Sequence, residues 1–348
     1  MTPRVLVVGG GLTSAVTSSL LREELGSRCQ LTVWDKARGA GGRMSTSRGP
    51  EGCGTVDLGA QYITVTPQFQ QLHNKFYSEL QLAGLLAPLT TTVQGLRPAP
   101  AGSQHLVTPR GTSALVKHFF SRAEVTPEFN QRVTEVSTDG AQCVVTTETG
   151  RTESFDAILL TMPPPQILEL GGTLKKDIES NPALSSGLRS VRFSSRYALG
   201  LFFGAGGGPK VDWGAKYVSD HPVVRYVAVD NVKRGQASGP SSVVVHTSVQ
   251  FGEEHVEKTP AEVQPILERH VTELFPDWPA PTSVKCQKWR YSQVTEPFPG
   301  RPGHVVLSEQ PLVVAAGDVF NRSNMDGCLE SATGAARLLV EKLRQKEA

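Results

Sequence analysis

Gly9, Gly10 and Gly11 could hold a phosphate, and Asp35 could hold a sugar. The glycines follow the short apolar run Arg4-Val-Leu-Val-Val8, and the stretch from Ala15 to Leu25 has the texture of a helix. A strand that turns sharply into a helix aims free N–H groups, and the positive end of the helix dipole, at an anion. Gly9 permits the turn, and Gly11 lets the backbone approach a pyrophosphate. A second strand, Gln30-Leu-Thr-Val-Trp34, ends on Asp35. A carboxylate there accepts hydrogen bonds from a ribose 2′-OH and repels a 2′-phosphate. The third position of the G-x-G-x-x-G pattern is Ser14, small enough for the close packing that position serves. Together these residues read as an adenine-dinucleotide cradle.

Two further elements narrow the ligand. Gly41-Gly42-Arg43 comes shortly after Asp35. Near the other end, the buried-strand run Pro311-Leu-Val-Val-Ala-Ala ends in Gly317-Asp318, and Gly327-Cys-Leu-Glu-Ser-Ala332 opens a helix expected to reach about Lys346. Asp318 is placed to bind a ribityl or pyrophosphate-side hydroxyl. The N–H groups near Asp326 to Leu329 suit the electron-rich pyrimidine end of an isoalloxazine. An ordinary C-terminal helix capped by Asp326 is the structural alternative. The combination points to FAD and to redox chemistry.

The elements that must position these residues are α/β at the N-terminus and different beyond it. Pro67 to Leu86 has helical spacing, as does Thr112 to Arg122, and Pro260 to Phe275 reads as a helix. Gln131 to Ser137, Cys143 to Glu148 and Ala157 to Thr161 read as strands, and the prolines at 163, 164 and 165 mark a crossover. Ser194 to Phe203, Val223 to Asp230 and Ser242 to Gln250 suggest a mostly antiparallel sheet. The expected organisation is a Rossmann-type FAD-binding domain at 1–75, 118–166 and 284–348. A mixed β-sheet substrate domain at 76–117 and 167–283 is interleaved with it, and a ligand site is expected at their junction.

Composition removes other classes. The 348 residues carry 35 Lys plus Arg against 33 Asp plus Glu, so charge gives no reason to expect nucleic acid or a membrane surface. No apolar stretch approaches a transmembrane span. Five scattered cysteines without a C-x-x-C suit a reducing compartment. The eight histidines form no H-x-H or H-E-x-x-H cluster, so no metal is expected. A Gly-x-Ser-x-Gly nucleophile elbow is missing too. Asn321-Arg322-Ser323 is a formal glycosylation sequon, discounted for its place beside the flavin motif.

Gly41-Gly42-Arg43-Met44, Asp57-Leu-Gly-Ala-Gln-Tyr62, Thr161-Met-Pro-Pro-Pro165, Ser194-Ser-Arg-Tyr-Ala-Leu-Gly-Leu201, Lys285-Cys-Gln-Lys-Trp-Arg-Tyr-Ser-Gln-Val294 and Gly317-Asp318 together resemble the renalases, within the wider flavin amine-oxidase group. The resemblance runs over nearly the whole chain. It implies a glutathione-reductase-like FAD domain, a mixed-sheet substrate domain and noncovalent FAD. It also implies oxidation of off-pathway NAD(P)H isomers, with the hydride at the 2- or 6-position of the nicotinamide, to β-NAD(P)+. Reoxidation by O2 gives hydrogen peroxide. By the same match Thr13, Arg43, Gln61 and Tyr62 contact FAD, joining Gly9, Gly11, Asp35, Gly317 and Asp318. The family has been described as secreted, against the cytosolic reading of the cysteines.

Hydride transfer to a flavin needs alignment more than an acid or base. Tyr62, His246 and Trp289 are the candidates for that task, with His246 and Trp289 also readable as core residues. Arg290 and Lys288 are candidates for steering a substrate pyrophosphate, although each also reads as an exposed-face charge. Two alternatives use the same inventory. One is a flavin amine oxidase acting on catecholamines, for which Tyr62 offers one aromatic ring and no second is identified. The other is an FAD-containing extracellular signalling protein.

Overall fold

The apolar run Arg4–Val8 forms the inner strand that the cradle requires. In the computed structural model, which describes residues 2–204, 206–236 and 238–347, it pairs in parallel with Gln30–Trp34 on one side and Ala157–Leu160 on the other. Leu312–Ala316 continues the parallel order beyond Ala157–Leu160, and His304–Glu309 closes that edge antiparallel. All four parallel strands are rich in β-branched and aliphatic residues, as strands covered on both faces must be. Val8 is level with Trp34 and Leu160, and Leu160 with Ala315. The residues that follow, Gly9, Asp35, Thr161 and Gly317, therefore leave the sheet at one carboxyl edge, where open α/β sheets bind ligands.

Helix Leu12–Leu25 packs on the long helix Met325–Glu347. Ser14 is fully buried in the first of these, so the third motif position does serve close packing. A separate antiparallel sheet holds Val133–Ser137, Cys143–Thr147 and Thr152–Phe155. These elements form one compact unit over Met1–Gly42, Val116–Arg192 and Val294–Ala348.

The second unit spans Arg43–Leu115 and Phe193–Gln293. Its centre is a six-stranded sheet in the order Ser283–Glu296, Arg192–Phe202, Ser242–Thr247, Val224–Val229, Ala215–Tyr217 and Val93–Gln94. The inner pairs are antiparallel, as the alternating segments suggested. One face packs under helix Pro260–Leu274, which opens with a capping box between Thr259 and Glu262. The other face carries Ala198, Tyr226 and Val244, with Tyr62, Tyr217 and Trp289 packed against them.

Local expectations shift in a few places. The helix expected over Pro67 to Leu86 breaks at His73 into Pro67–Leu72 and Asn74–Leu82, because the His73 N–H closes the first helix on the Phe69 carbonyl and its own carbonyl starts the second. The third sheet strand stops at Thr247, because Ser248 caps a short helix, Val249–Glu254. The compact units also differ from the expected boundaries. Residues 43–75 and 284–293 cluster with the second unit, and 116–117 and 167–192 with the first.

Candidate functional site

In the first unit the glycine turn is fixed from several directions. Gly9 has φ +120°, and its N–H donates to the Trp34 carbonyl at 2.8 Å. A Cβ there would strike the Thr161 hydroxyl, which is itself held by the Val8 carbonyl at 2.8 Å. Gly11 differs. It sits at the N-cap with no side-chain cap, and a Cβ on it would meet nothing within 4 Å. Crowding by the protein does not demand glycine at that position. Glycine there leaves the helix N-terminus open for the close approach of an anion. The Gly41 N–H donates to the Gly10 carbonyl at 2.7 Å, and a Cβ on Gly42 would lie 3.5 Å from the Gly11 Cα, so the Gly-Gly pair lies against the turn.

Asp35 turns its carboxylate toward the same place. One oxygen accepts from the Gly10 N–H and the other from the Ala37 N–H at 2.5 Å. A carboxylate has about four lone-pair positions, so acceptor capacity remains for a ribose. Thr13 is buried in the first turn of the helix, and its carbonyl accepts from Thr17.

Gly317 and Asp318 leave the adjacent strand. The Gly317 N–H donates to the Ser331 hydroxyl at 2.7 Å, and buried Asp318 accepts from the Ser323 hydroxyl at 3.2 Å. The long C-terminal helix starts at Met325, two residues before the expected Gly327, and Asn324 rather than Asp326 supplies the cap by accepting from Gly327 N–H at 2.8 Å. A Cβ on Gly327 would strike the Arg322 carbonyl. The Asn321 amide is buried and donates to Glu330 at 2.6 Å. The open N-cap at Gly11 and the flanking acids fit a dinucleotide cofactor.

In the second unit the string Asp57 to Tyr62 is held from beneath by charge. Asp57 is fully buried. It accepts from Thr112 N–H and hydroxyl at 3.0 Å, from Thr46 at 2.5 Å and from Arg234 at 2.6 Å. Asp230 accepts from the Asp57 N–H at 3.0 Å and pairs with Lys233 at 2.5 Å and Arg234 at 2.6 Å. Burial pushes the Asp230 carboxyl up, but Lys233 and Arg234 outweigh it and hold the group below its ordinary value. The arrangement has equal numbers of cations and anions, which is what makes burying four charges tolerable.

Lys233 extends this network to Gln61, donating to its side-chain oxygen at 2.8 Å. The Gln61 amide in turn donates to the carbonyls of Asp57 at 2.5 Å and Gly59 at 3.0 Å. The Ala60 N–H donates to the Arg43 carbonyl at 2.9 Å, and a Cβ on Gly59 would overlap that same carbonyl. The arginine of the Gly-Gly-Arg motif is thus fixed by the very string that carries Gln61 and Tyr62.

Leu58 lies in the same string. Its carbonyl oxygen receives the Trp289 indole N–H at 2.9 Å and lies 2.9 Å from His246 Nε2. A carbonyl only accepts, so His246 carries its proton on Nε2, and Nδ1 is the bare nitrogen. Burial drives the His246 pKa down to about 4, so the ring is neutral at pH 7. The Tyr62 hydroxyl meets that of Tyr217 at 2.6 Å, and burial followed by this contact raises the Tyr62 pKa. Tyr226 stands between Tyr217 and His246, with ring centroids 5.0 and 5.7 Å away.

The structure therefore brings Tyr62, His246 and Trp289 to one face of one sheet. Sequence reasoning missed Tyr217 and Tyr226, which alternation places on that face once the register is known. It also missed Lys233 and Arg234, whose run Asp230-Asn-Val-Lys-Arg234 looks like exposed surface. Among the described residues, no group of three or more His, Cys, Asp or Glu is placed to hold a metal, and no helix is long and apolar enough to cross a membrane.

Comparisons with known proteins agree with this chemistry. The family of flavin-containing amine oxidoreductases matches residues 100–340, and a NAD(P)-binding Rossmann-like domain matches residues 7–80. Renalase of Mus musculus is 40% identical over 341 residues, covering 97% of this chain and 98% of the mouse protein. The crystal structure of a putative protoporphyrinogen oxidase from Exiguobacterium sp. 255-15 superposes with a TM-score of 0.74 over 98% of this chain and 99% of that one. At 12% identity that likeness speaks for the fold alone.

Proposed function

The chain belongs to the renalase family of flavin-containing amine oxidoreductases, and on that premise we propose that it oxidises dihydronicotinamide dinucleotides reduced at the wrong ring position. It is an FAD-dependent oxidoreductase. The proposed substrates are the 2- and 6-dihydro isomers of NAD(P), the products β-NAD(P)+ and, with O2, hydrogen peroxide.

When bound, FAD supplies the hydride acceptor and the route of electrons to O2. The chain supplies binding and alignment. Gly11 and the following N–H groups receive the FAD pyrophosphate, Asp35 and Asp318 receive hydroxyls, and Thr13, Arg43, Gln61 and Tyr62 complete the contacts. Tyr62, His246 and Trp289 orient the dihydropyridine ring.

The state of His246 carries this reading. It is neutral, and its one ring N–H is committed to Leu58. A pKa of about 4 makes it a poor base at pH 7. Loss of hydride from a dihydropyridine restores an aromatic ring and requires no proton removal, so an aligning site without a working base suffices.

A second reading is amine oxidation, which Tyr217 favours as the second aromatic ring beside Tyr62. Product analysis separates the two. In aerated buffer, the 2- and 6-dihydro isomers should be consumed with one β-NAD(P)+ and one peroxide formed per molecule, and a catecholamine should be left intact. Peroxide formation with the catecholamine alone would rule out the first reading.

A further inference from the structure

Arg290 and Lys288, the cations that the sequence offered for a substrate diphosphate, are already engaged. Arg290 pairs with Glu257 through two nitrogens at 2.8 Å, and Lys288 donates to the carbonyls of Val256 and Lys258 at 2.9 and 3.0 Å. Two other guanidinium groups of the same unit have no counter-ion.

Arg196 lies two residues before Ala198, which pairs with His246, and His246 pairs on its other side with Tyr226. Alternation along the strand puts Arg196 on the face shared by Ala198, Tyr226, Tyr62 and Trp289. Its guanidinium donates to Gln293 at 2.7 Å and Ser292 at 3.4 Å, both neutral acceptors. Arg225 is the extra residue at the register shift between Val224, opposite Thr247, and Tyr226, opposite His246, so it escapes strict alternation and accompanies Tyr226; it donates to the Val218 carbonyl at 3.3 Å. Neither makes an ion pair among the described residues. The two repel instead. Burial first, and the charge of Arg225 second, hold Arg196 below its ordinary pKa, with Glu253 acting the other way from a distance that forms no ion pair. Elsewhere in this unit, buried Arg234 has two carboxylates. Two neighbouring guanidiniums without one are suited to receive a dianion from outside the chain.

We propose that Arg196 and Arg225 bind the diphosphate bridge of a dinucleotide substrate. This rests on the reading of the chain as a dihydronicotinamide oxidase. Planar guanidinium forks match phosphate oxygens in pairs. The nicotinamide and diphosphate of a dinucleotide are separated by one ribose, so an anion site flanking the Tyr–His–Trp cluster suits a ring held at that cluster. The same two charges oppose a protonated amine.

The test uses the FAD-loaded enzyme with Arg196→Gln, Arg225→Gln and the double variant. For each, kcat/KM is measured with a 6-dihydro-NAD isomer and with the matching 6-dihydronicotinamide riboside, which lacks phosphate. The wild type should prefer the dinucleotide, and the double variant should lose that preference by about ten-fold or more, with a flatter salt dependence. The single variants, each expected to lose part of it, decide the matter should the double variant fail to fold. An unchanged preference, with both substrates turned over, overturns the diphosphate assignment alone. Titration of FAD into apoprotein tells the two diphosphates apart. A raised FAD Kd with an unchanged preference assigns the pair to the cofactor and overturns the proposal. If neither substrate reduces the wild-type flavin, the reading beneath it falls and takes this assignment with it.

Discussion

Lys233 donates to the side-chain oxygen of Gln61 across 2.8 Å from a side chain sealed away from solvent. Its other partner is fully buried Asp230. Lys233→Met therefore leaves Asp230 with Arg234 and the Asp57 N–H, and strips the Gln61 side-chain oxygen of its donor while the Gln61 NH2 stays on the Asp57 and Gly59 carbonyls. The expected cost is about 3–5 kcal/mol of folding free energy, the usual result of stripping one partner from a buried ion pair. Denaturant melts of the flavin-free protein measure it. A loss under about 1 kcal/mol would mean that the network does not hold the Asp57–Tyr62 string.

The two glycines of the turn should behave differently. Gly9→Ala forces a side chain into φ +120° and onto Thr161, so a destabilisation of about 1–3 kcal/mol is expected. Gly11 has φ −94° and open space at its Cβ position. Gly11→Ala should fold within about 0.5 kcal/mol of the wild type and still be purified with less flavin. The ratio of flavin to protein absorbance, read beside a thermal melt, decides this. Full flavin in a stable Gly11→Ala protein would remove Gly11 from the cradle.

Much of the first unit was legible because its signals are local. A strand, a glycine turn, a helix and an acid in sequence order can be read without a partner, and Gly317-Asp318 repeats part of the pattern. The second unit resists because its chemistry is made by register. Nothing near Tyr217 in the chain says that it meets Tyr62, 155 positions away. Lys233 and Arg234 have the composition of a solvated turn, and only the opposing Asp57 and Asp230 make their burial tolerable. Arg290 and Arg196 show the converse. The sequence drew attention to the one that has a carboxylate partner and passed over the one that has none.

His246 makes stability depend on acid. Its folded pKa, about 4, lies below the ordinary 6.5, so between these values the unfolded chain binds a proton that the folded chain refuses. The stabilisation is fully present above pH 6.5 and is lost as pH falls through 4, by about 3 kcal/mol in all. His246→Gln, which keeps a donor for Leu58, should lose less stability than the wild type between pH 7 and pH 4.5 in urea melts. Parallel losses would place the histidine in water.

The Tyr62–Tyr217 hydroxyl contact should appear as coupling. Tyr62→Phe and Tyr217→Phe each remove one partner, and a double-mutant cycle on folding stability should give about 1 kcal/mol of interaction. Additivity within experimental error would mean that the two hydroxyls do not bond.

The identity of the molecule that reduces the flavin separates the two activities. The FAD-loaded protein is mixed without oxygen, in a stopped-flow instrument, with a 6-dihydro-NAD isomer or with a catecholamine, and the flavin absorbance is followed. Rapid bleaching by the isomer and none by the amine is the expected result. Bleaching by the amine alone would contradict it.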